Sequence, residues 1–542
     1  MISINIKDTR INLIISGLLL FIMISLSCSK EPIIQDDPYK GGMQPLGVKF
    51  TGDEPTPNAG SPGDEVTFKI SGLENYDNKF EFLINETKTD ILSFTDSTIT
   101  VKVPQNASTG GTTLLLNGQS FFGPKFTIQG KVSIDPSFKA VNGTNGAISD
   151  ITSTSSGYIL VGAFTNFESQ APAIPVNRIV SISNDGVFQT SLSSRLGADG
   201  SIQSINKLSS GKYMVSGSFG SYNRISGINC ITRLNVDGSL DSTQVEVINS
   251  DPERPNFGFD TVAAFNGGVV GRPPFSIVKS FVKDNKTIIL GNFLFYLSYY
   301  YPRSTRENKI VDVTRMAQLA RLKENGELDS TYNFDPSTKG GYAGGNGPIN
   351  DAFMQEDGKV VAVGAFSTFH GLQANNIVRL NDDGTVDKTY ATGSGADGPI
   401  TSVNYNSTTG RVLVAGNFKT FNGRSCSGVA MLNKDGSVDD VFKFGQLVGG
   451  VPNYAAQLNN GKVLVSGDFN TYAGIIRQGF MILDQNGSLA QGYNNTGAFQ
   501  GRIVKMVQTT SALGYPAVLL VGDFTKFDNR KVGNIVRVEI KP

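Results

Sequence analysis

The chain has 542 residues but no tryptophan, one histidine and three cysteines, and its 47 basic side chains equal its 47 acidic ones in number. With His370 as the lone histidine, a metal site or a catalytic pair built from several histidines is disfavoured. Without tryptophan, only tyrosine and phenylalanine can offer a large flat ring to a sugar or a cation. Because the net charge is zero and the chain has no Lys/Arg run, we expect no nucleic-acid partner.

The N-terminal segment, "MISINIKDTRINLIISGLLLFIMISLSCSKEP", has the features of a targeting signal. Two basic residues precede an apolar run over residues 11–27, a pattern typical of a secretory signal peptide. Cys28 ends that run and polar sequence follows, which resembles a bacterial lipoprotein signal, although Ser25 stands where that motif prefers leucine. The alternative is an uncleaved anchor with an incidental cysteine.

The lipoprotein resemblance implies that residues 1–27 are removed and that Cys28 is lipidated, so that acyl chains hold the protein on a membrane. Residues 28–45 then form a tether. The acidic stretch "KEPIIQDD" within it resembles the surface-export signal of Bacteroidota lipoproteins. The expected location is therefore the outer membrane, with the protein lipid-anchored and facing the cell exterior.

Short strands alternate with turns over residues 46–130, as in "DEVTFKISGL", "KFEFLIN" and "TITVKVP", where apolar residues recur at every second position. The segments "NAGSPGDEVTFKISGL" and "DSTITVKVPQNASTGGTTLLL" resemble two parts of IPT/TIG immunoglobulin-like domains. The resemblance implies a β-sandwich that serves as a spacer or an interaction module and has no catalytic machinery of its own.

Residues 131–542 repeat one phrase, of which "VLVSGDF" at 463–469 is an example. Its seven copies lie 51 to 55 residues apart, except for intervals of 74 and 73 residues on either side of the third copy. A fixed period of this size indicates a repeat architecture, here with two insertions. Each copy ends in a phenylalanine: Phe164, Phe219, Phe293, Phe366, Phe418, Phe469 and Phe524.

One complete copy predicts four antiparallel strands, "GPINDAFMQ", "KVVAVGAF", "NIVRLN" and "TVDKTY", two of whose connections are Asp-Gly turns. Four such strands describe a blade of a β-propeller. We expect small residues in the second strand to let neighbouring blades approach, and its phenylalanine to fill the space between them. The seventh copy lacks a fourth strand, which "KVSIDPSF" at 131–138 supplies, so an N-terminal strand closes a seven-bladed ring.

The combination of "GxF" with phrases such as "RLNVDGSLD" at 233–241 resembles the delta-sixty repeat, a bacterial propeller family. The order of signal, sandwich and propeller also resembles a group of Bacteroidota surface lipoproteins. Together these resemblances imply an all-β protein, with an immunoglobulin-like (IPT/TIG) sandwich over residues 46–130 and a seven-bladed β-propeller over residues 131–542. They imply a fold and a cellular location, but they do not identify a ligand.

The third copy carries a segment that no other copy has, "LFYLSYYYPRS" at 294–304. Its candidate ligand- or partner-binding residues are Tyr296, Tyr299, Tyr300, Tyr301 and Arg303. Clustered tyrosines on an inserted loop can stack on sugar rings or anchor a protein partner. The alternative is that they pack against the side of the propeller. A second insertion, at 249–274, precedes the same blade, and the two insertions on one face would form a lobed site.

Other motifs favour structure over chemistry. Asp237 and Asp241 in "NVDGSLD" have the near-alternate spacing of calcium ligands, but a hairpin turn explains them without a metal, so we expect no metal site. His370 in "FHG" replaces the Asn or Ala of other copies and is interpreted as a loop variant. Cys230 and Cys426 lie three repeats apart, so we expect buried thiols rather than a disulfide.

The sequence shows no nucleophile with a base, no isolated carboxylate pair and no phosphate-binding glycine loop, so it predicts neither an enzyme nor a cofactor. The expected function is a lipid-anchored cell-surface binding protein for a glycan or an envelope partner in a nutrient-uptake-type system. One alternative is a scaffold that docks outer-membrane proteins, which a broad apolar patch around residues 296–301 would favour. Another is a polysaccharide-active propeller enzyme, which carboxylates converging at the propeller axis would favour.

Overall fold

A computed structural model describes residues 46–76, 79–170, 176–192 and 195–542. The predicted signal peptide, the tether and Cys28 lie outside the described residues. The chain divides into two compact units, Met1–Val48 and Lys49–Pro542. The second unit contains residues on both sides of position 130, so the predicted domain boundary there stays a prediction. Within the described ranges, no helix is both long enough and apolar enough to cross a membrane.

Two mainly antiparallel sheets form a β-sandwich at the start of the second unit. Buried and exposed residues alternate along its strands, as in Glu65–Ser71, which gives each sheet one apolar face. The ring of Phe68 in one sheet contacts those of Phe82 and Phe126 in the other, at centroid distances of 4.8 and 5.9 Å. One sheet has the strand order Lys49–Phe50, Glu65–Ser71, Thr98–Lys102, Asp90–Phe94, and the other has the order Ala59–Gly60, Gln119–Ile128, Gly110–Leu116, Phe80–Ile84, Thr87–Lys88. The specific IPT/TIG resemblance stays a prediction.

Seven further sheets form a β-propeller, and each is called a blade, numbered in chain order. The first strand of each blade lies beside the first strand of the next, and that of blade 7 lies beside that of blade 1, so the ring is closed. The predicted all-β, seven-bladed fold is therefore confirmed. The strands are Ile148–Ser153, Gly157–Gly162, Ile179–Ser183 and Phe188–Gln189 in blade 1; Ser201–Lys207, Tyr213–Ser218 and Ile231–Leu234 in blade 2; Ser276–Lys283, Lys286–Asn292 and Leu319–Leu322 in blade 3; Ile349–Met354, Val360–Gly364 and Ile377–Leu380 in blade 4; Ile400–Asn406, Arg411–Gly416 and Val429–Asn433 in blade 5; Pro452–Gln457, Val463–Gly467 and Phe480–Leu483 in blade 6; Gln500–Thr510, Pro516–Phe527, Ile535–Ile540 and Val132–Ile134 in blade 7.

Short hairpins follow the second strand in several blades, and three 3-10 turns are the helical elements among the described residues. The hairpins are Ser221–Tyr222 with Ile225–Ser226, Thr368–Phe369 with Leu372–Gln373, Thr420–Phe421 with Arg424–Ser425, Thr471–Tyr472 with Ile475–Ile476 and Leu447–Val448, and Arg530–Lys531 with the end of the second strand of blade 7. A further pair is Phe334–Asp335 with Gly340–Gly341. The 3-10 turns are Glu74–Tyr76, Pro255–Gly258 and Tyr301–Arg303.

Both ends of the propeller sequence close the ring. Val132–Ile134 pairs antiparallel with Ile535–Ile540 and becomes the outer strand of blade 7. Beside this ladder, the buried Arg537 donates from Nε to Asp135 at 2.5 Å and from Nη1 to the carbonyl of Asn184 in blade 1 at 2.7 Å. The predicted closure by an N-terminal strand is confirmed, and a buried ion pair reinforces it.

The closing phrase of a repeat forms a clamp between blades. In "RLNDDGTVD" the guanidinium of Arg379 donates from Nε to Asp387 of the same phrase at 2.9 Å. Its Nη1 donates to the carbonyl of Lys434, in the turn of the next blade, at 3.2 Å. Arg233 and Arg321 make the same two contacts in other blades. The repeated arginine and aspartate therefore join neighbouring blades.

The predicted fourth strand is reduced in five blades. In blades 2 to 6 it consists of a single bridge, such as that of Leu380 with Val386. Blade 1 keeps a two-residue strand, Phe188–Gln189. In blades 2 to 4 the residue after the bridge, such as Asp387, directs its carboxylate to the arginine of its own phrase, so a side-chain ion pair holds this segment where a ladder was expected.

The glycine of the "GxF" motif lies in the second strand of every blade, where another backbone approaches it closely. A Cβ on Gly364 would lie 2.1 Å from the carbonyl oxygen of Pro348, and an equivalent clash at 2.1 to 2.3 Å recurs in all seven copies. The carbonyl stands at the start of the bulged first strand of the same blade. For the glycines, the expectation that small residues let neighbouring blades approach is therefore wrong, since this close approach is within one blade.

The seven repeat phenylalanines fill the space between blades. All are buried, with at most 4% of the residue exposed. Phe164 packs with Leu519 of blade 7, and Phe366 packs with Leu290 of blade 3. Each ring therefore contributes apolar burial to two sheets at once, which makes the blades mutually dependent for their stability.

Candidate functional site

The two insertions that flank blade 3 associate with each other. Gly268–Val270 of the 249–274 insertion and Val311–Arg315 border the strand Phe295–Tyr299 in a three-stranded sheet. Phe259–Ala263 of the 249–274 insertion also pairs with the preceding segment Ser242–Glu246 in a hairpin. The expected meeting of the two insertions is thus observed, and they form one lobe beside blade 3.

A cleft of about 540 Å³ opens in this lobe, and we call it the tyrosine cleft. Tyr299 and Tyr301 line it with stacked rings whose centroids are 6.0 Å apart at an interplanar angle of 25°. Asp260, Arg306 and Lys309 also line it. The cleft therefore combines a flat aromatic surface with charged hydrogen-bonding groups, an arrangement suited to binding a polar ring.

Hydrogen bonds to neighbouring segments fix the position of Tyr299. Its backbone N–H donates to Oδ1 of Asn266 at 2.9 Å, and its carbonyl accepts from Nδ2 of the same side chain at 2.9 Å. Its hydroxyl accepts from Nδ2 of Asn229 at 3.0 Å. This part of the aromatic surface is held in place by the protein itself, which reduces the conformational entropy lost on binding.

Opposite charges meet in the lining of the tyrosine cleft. Lys309 donates from Nζ to Asp260 at 2.6 Å, and Nε of Arg306 lies 3.9 Å from the other oxygen of that carboxylate. Burial, followed by the nearby Tyr299 and Asp260, raises the pKa of Tyr301 well above its ordinary value. The Tyr301 hydroxyl therefore keeps its proton at neutral pH and can donate a hydrogen bond.

The five predicted site residues do not share one location. Tyr299 and Tyr301 line the tyrosine cleft. Tyr296 is 4% exposed, packs in the core beneath the lobe and donates from its hydroxyl to a backbone carbonyl at 3.0 Å. Tyr300 is half exposed and Arg303 is exposed, and neither lines the cleft. The alternative expectation, that the tyrosines pack against the propeller, therefore holds for Tyr296. A binding role for the other four residues stays a prediction.

Sequence reasoning missed the charged part of the cleft. Asp260 lies in the 249–274 insertion, and Arg306 and Lys309 follow the tyrosine segment 294–304. None of the three belongs to a repeated phrase. Their absence from the repeated phrases could have identified them in the sequence, because a charged residue without a counterpart in the other copies is not needed for a blade turn or for the clamp.

A second polar cluster lies where the first strands of blades 1, 3, 4 and 7 come together. Lys505 donates from Nζ to Asp150 at 2.6 Å, and Nζ of Lys279 lies 3.3 Å from Asp351. The other oxygen of Asp150 accepts from the backbone N–H of Ile205 in blade 2 at 3.0 Å. Burial opposes ionisation of Asp150, but Lys505 and Lys279 outweigh it and hold the pKa below its ordinary value. The convergence of carboxylates that would favour an enzyme is therefore present here. Each carboxylate is ion-paired, however, and Asp150 is not a proton donor at neutral pH.

The other motifs singled out in the sequence have structural partners. Asp237 accepts from the N–H and the hydroxyl of Ser239 at 3.0 and 2.6 Å, as a turn residue does. Asp241 pairs with the arginine of its own phrase at 2.5 Å. Cys230 and Cys426 are buried and free, and burial raises the pKa of each thiol to about 11.

Two backbone groups hold the single histidine. Nδ1 of His370 accepts from the N–H of Gly344 at 3.1 Å, and Nε2 lies 3.2 Å from the carbonyl of Gly384. These contacts fit a neutral ring that carries its proton on Nε2. Burial lowers the pKa of His370 to about 4, so the ring is neutral and fully engaged at physiological pH.

Two family models match parts of the chain. One is described as a domain of unknown function (DUF5008) and matches residues 22–124. The other is described as a domain of unknown function (DUF5122) beta-propeller and matches residues 208–243, 355–390 and 408–442. The propeller matches fall on the second, fourth and fifth repeats. Among curated proteins, none matches the chain.

Solved structures of similar shape share little sequence with the chain. The WD40 beta propeller domain of Doa1 is 14% identical, with 75% of this chain and 96% of that chain covered and a TM-score of 0.39. An auxiliary nutrient binding protein from Bacteroides ovatus is 9% identical, with 91% and 98% covered and a TM-score of 0.27. A structural genomics protein from Bacteroides thetaiotaomicron is 10% identical, with 91% and 98% covered and a TM-score of 0.25. The seven sheets and the family model thus show that the chain contains a β-propeller.

Proposed function

We propose that the protein is a binding protein of the bacterial cell surface that holds a glycan in the tyrosine cleft, within a nutrient-uptake-type system. The observation that carries the proposal is the stacked pair of Tyr299 and Tyr301 in a cleft that charged side chains also line. A sugar ring has apolar C–H faces and a rim of hydroxyl groups. It can therefore pack on tyrosine rings while its hydroxyls reach polar side chains.

The charged residues of the cleft suit sugar hydroxyls as hydrogen-bond partners. Arg306 donates and the carboxylate of Asp260 accepts, so vicinal hydroxyls can contact groups of both kinds, while Lys309 gives its three N–H donors to Asp260 and to the carbonyls of Thr305 and Arg306. These residues already pair with one another, so a ligand meets an ordered polar surface. This support is independent of the stacking argument, because it concerns the rim of the sugar and not its faces.

The surface location is proposed from the sequence. Residues 1–27 resemble a lipoprotein signal, and Cys28 would carry the lipid that holds the protein on the outer membrane. We also propose binding without catalysis. The inner carboxylate Asp150 is ion-paired with Lys505, and the only histidine is engaged with the backbone.

Retention of the purified protein on affinity gels across a polysaccharide panel tests the proposal. Replacing both Tyr299 and Tyr301 with Ala should weaken retention by about 2 kcal/mol or more, which is roughly thirtyfold, because the stacking surface is lost. Tyr300→Ala is the matched control, since it removes an exposed tyrosine of the same segment outside the cleft. It should leave retention unchanged.

The other outcomes point to the alternatives. Equal retention of the double variant and the parent would place any glycan site elsewhere and refute this cleft. Retention on no glycan would refute glycan binding and favour the docking scaffold, for which the next step is a search for outer-membrane partners. Release of reducing ends from a retained polysaccharide would refute binding without catalysis.

A further inference from the structure

Among the described residues, Arg477 is a buried cation without an acidic partner. It follows the hairpin strand Ile475–Ile476, between the second and third strands of blade 6, and only 4% of it is exposed. Its Nη1 donates to the carbonyls of Asn106 at 3.1 Å and Ile476 at 2.5 Å, while its Nε has no hydrogen-bond partner among the described residues. Burial alone lowers the pKa of Arg477, to about 10, and no carboxylate of the described ranges contributes to this shift. Nothing of opposite charge therefore compensates its desolvation.

The other buried arginines of the described chain show the contrast. Arg379 and Arg537 are 9% and 2% exposed. Each donates to a buried aspartate, Asp387 for Arg379 and Asp135 for Arg537. A buried charge without such a partner is strongly destabilising, because neither water nor a counter-charge offsets its desolvation. Arg477 therefore departs from the pattern that this protein uses elsewhere.

Arg477 lines a cavity of about 210 Å³ between the sandwich and the propeller, which we call the junction cavity. The sandwich contributes Gln105, Asn106 and Gln129 to its lining, and the propeller contributes Arg477 and Gln491. Within the part of the chain that the structure describes, this lining includes no aspartate or glutamate. The cavity therefore offers a positive charge together with amide groups.

Hydrogen bonds between the sandwich and the propeller hold the walls of the junction cavity together. Thr109 donates from its N–H and from its hydroxyl to the carbonyl of Asn495, both at 2.9 Å. Asn529 donates from Nδ2 to the carbonyl of Thr109 at 2.8 Å. Asn495 in turn donates from Nδ2 to the carbonyl of Ile128 in the sandwich at 3.3 Å. The cavity is thus formed before any ligand enters it, which favours binding.

We propose that the junction cavity binds a small oxyanion, such as a carboxylate, a sulfate or a phosphate. A guanidinium recognises two oxygens of such a group through parallel N–H donors, and Nε of Arg477 is the donor left without a partner. The bound anion neutralises Arg477 and links the sandwich to the propeller. The site lies apart from the tyrosine cleft and does not depend on the function proposed for that cleft.

Thermal unfolding of the purified protein in sulfate, phosphate or acetate, at constant ionic strength with chloride as the reference, tests the proposal. Calorimetric titration with sulfate measures binding directly. We expect the midpoint to rise and saturate with at least one of the three anions, because a ligand of the folded state stabilises it. Arg477→Gln should abolish this shift. Arg530→Gln, which removes an exposed arginine of blade 7, should retain it.

Gln105→Glu provides a second measurement in case Arg477→Gln does not fold. A carboxylate in the lining supplies the missing counter-charge, so this variant should have a higher midpoint in chloride and should lose the response to added anion. The absence of a saturable response in the parent protein overturns the proposal. So does a response of equal size in Gln105→Glu and the parent.

Discussion

Between pH 6.5 and pH 4 the protein should lose about 3 kcal/mol of unfolding free energy through His370 alone. Burial lowers the pKa of this ring to about 4 from an ordinary value of 6.5. Above pH 6.5 the ring is neutral in the folded and the unfolded chain, so stability does not depend on it. Below pH 6.5 only the unfolded chain takes up the proton, and stability falls by about 1.4 kcal/mol per pH unit until the folded ring also titrates near pH 4.

The geometry explains why the folded protein excludes this proton. Protonation of Nδ1 would remove the acceptor that the N–H of Gly344 uses at 3.1 Å and would place a charge in a partly buried turn. The carboxylates respond at lower pH. Hydrogen bonds and ion pairs hold the folded-state pKa of Asp329 and of Asp387 far below the ordinary value of 3.8 despite burial, and the unfolded chain protonates these residues only near that ordinary value.

The assay is unusually direct because His370 is the only histidine of the chain. Its ring signals in an NMR titration report its pKa without assignment. His370→Asn is the matched variant for urea unfolding, since Asn422 occupies the equivalent turn position, at φ 48° against 49° for His370. The stability of the variant relative to the parent should rise as the pH falls from about 7 to about 4.5. A ring pKa near 6.5, or a difference that does not change with pH, refutes the reasoning.

Two further predictions concern the repeat itself. Asp387→Asn leaves the buried Arg379 without its counter-charge and should lower the unfolding free energy by about 3 kcal/mol, whereas Asp440→Asn in an exposed ion pair should have no measurable effect on the urea midpoint. Equal losses in these two variants would contradict the clamp. Gly364→Ala forces a Cβ to 2.1 Å from a carbonyl oxygen and should cost about 1–3 kcal/mol in the same assay, whereas Gly111→Ala has open space and should be tolerated. A Gly364→Ala protein as stable as the parent would show that the first strand can move away.

The fold could be predicted from the sequence because its signals are local and repeated. A phrase such as "KVVAVGAF" has a strand's composition, and the Asp-Gly pairs mark its turns wherever they occur. Closure could be predicted as well, because the last copy ends one strand short. The structural role of Gly364 could not be predicted from the sequence. The carbonyl that this glycine accommodates belongs to Pro348, and only the bulge in the first strand brings the two residues together.

The candidate site shows the limit of reasoning from composition. Four tyrosines in one short segment suggested one surface, yet side chains of a strand alternate between its two faces. Tyr296 and Tyr299 are three positions apart in the strand Phe295–Tyr299, and they point to the core and to the cleft respectively. That separation was readable from the sequence. The pairing of Asp260 with Lys309 was not, because it depends on how two insertions associate in space.

Closure of the ring has a consequence for the synthesis of the chain. Asp135 and Arg537, which join its two ends, are 402 residues apart. At roughly 5 to 20 residues per second, a ribosome needs roughly 20 to 80 s to supply the second partner after the first. Throughout that interval Val132–Ile134 is a strand edge without its own partner, and unpaired edges attract strands of other chains. A translation product that ends before Ile535–Ile540 retains this open edge permanently, so premature termination yields chains prone to aggregate.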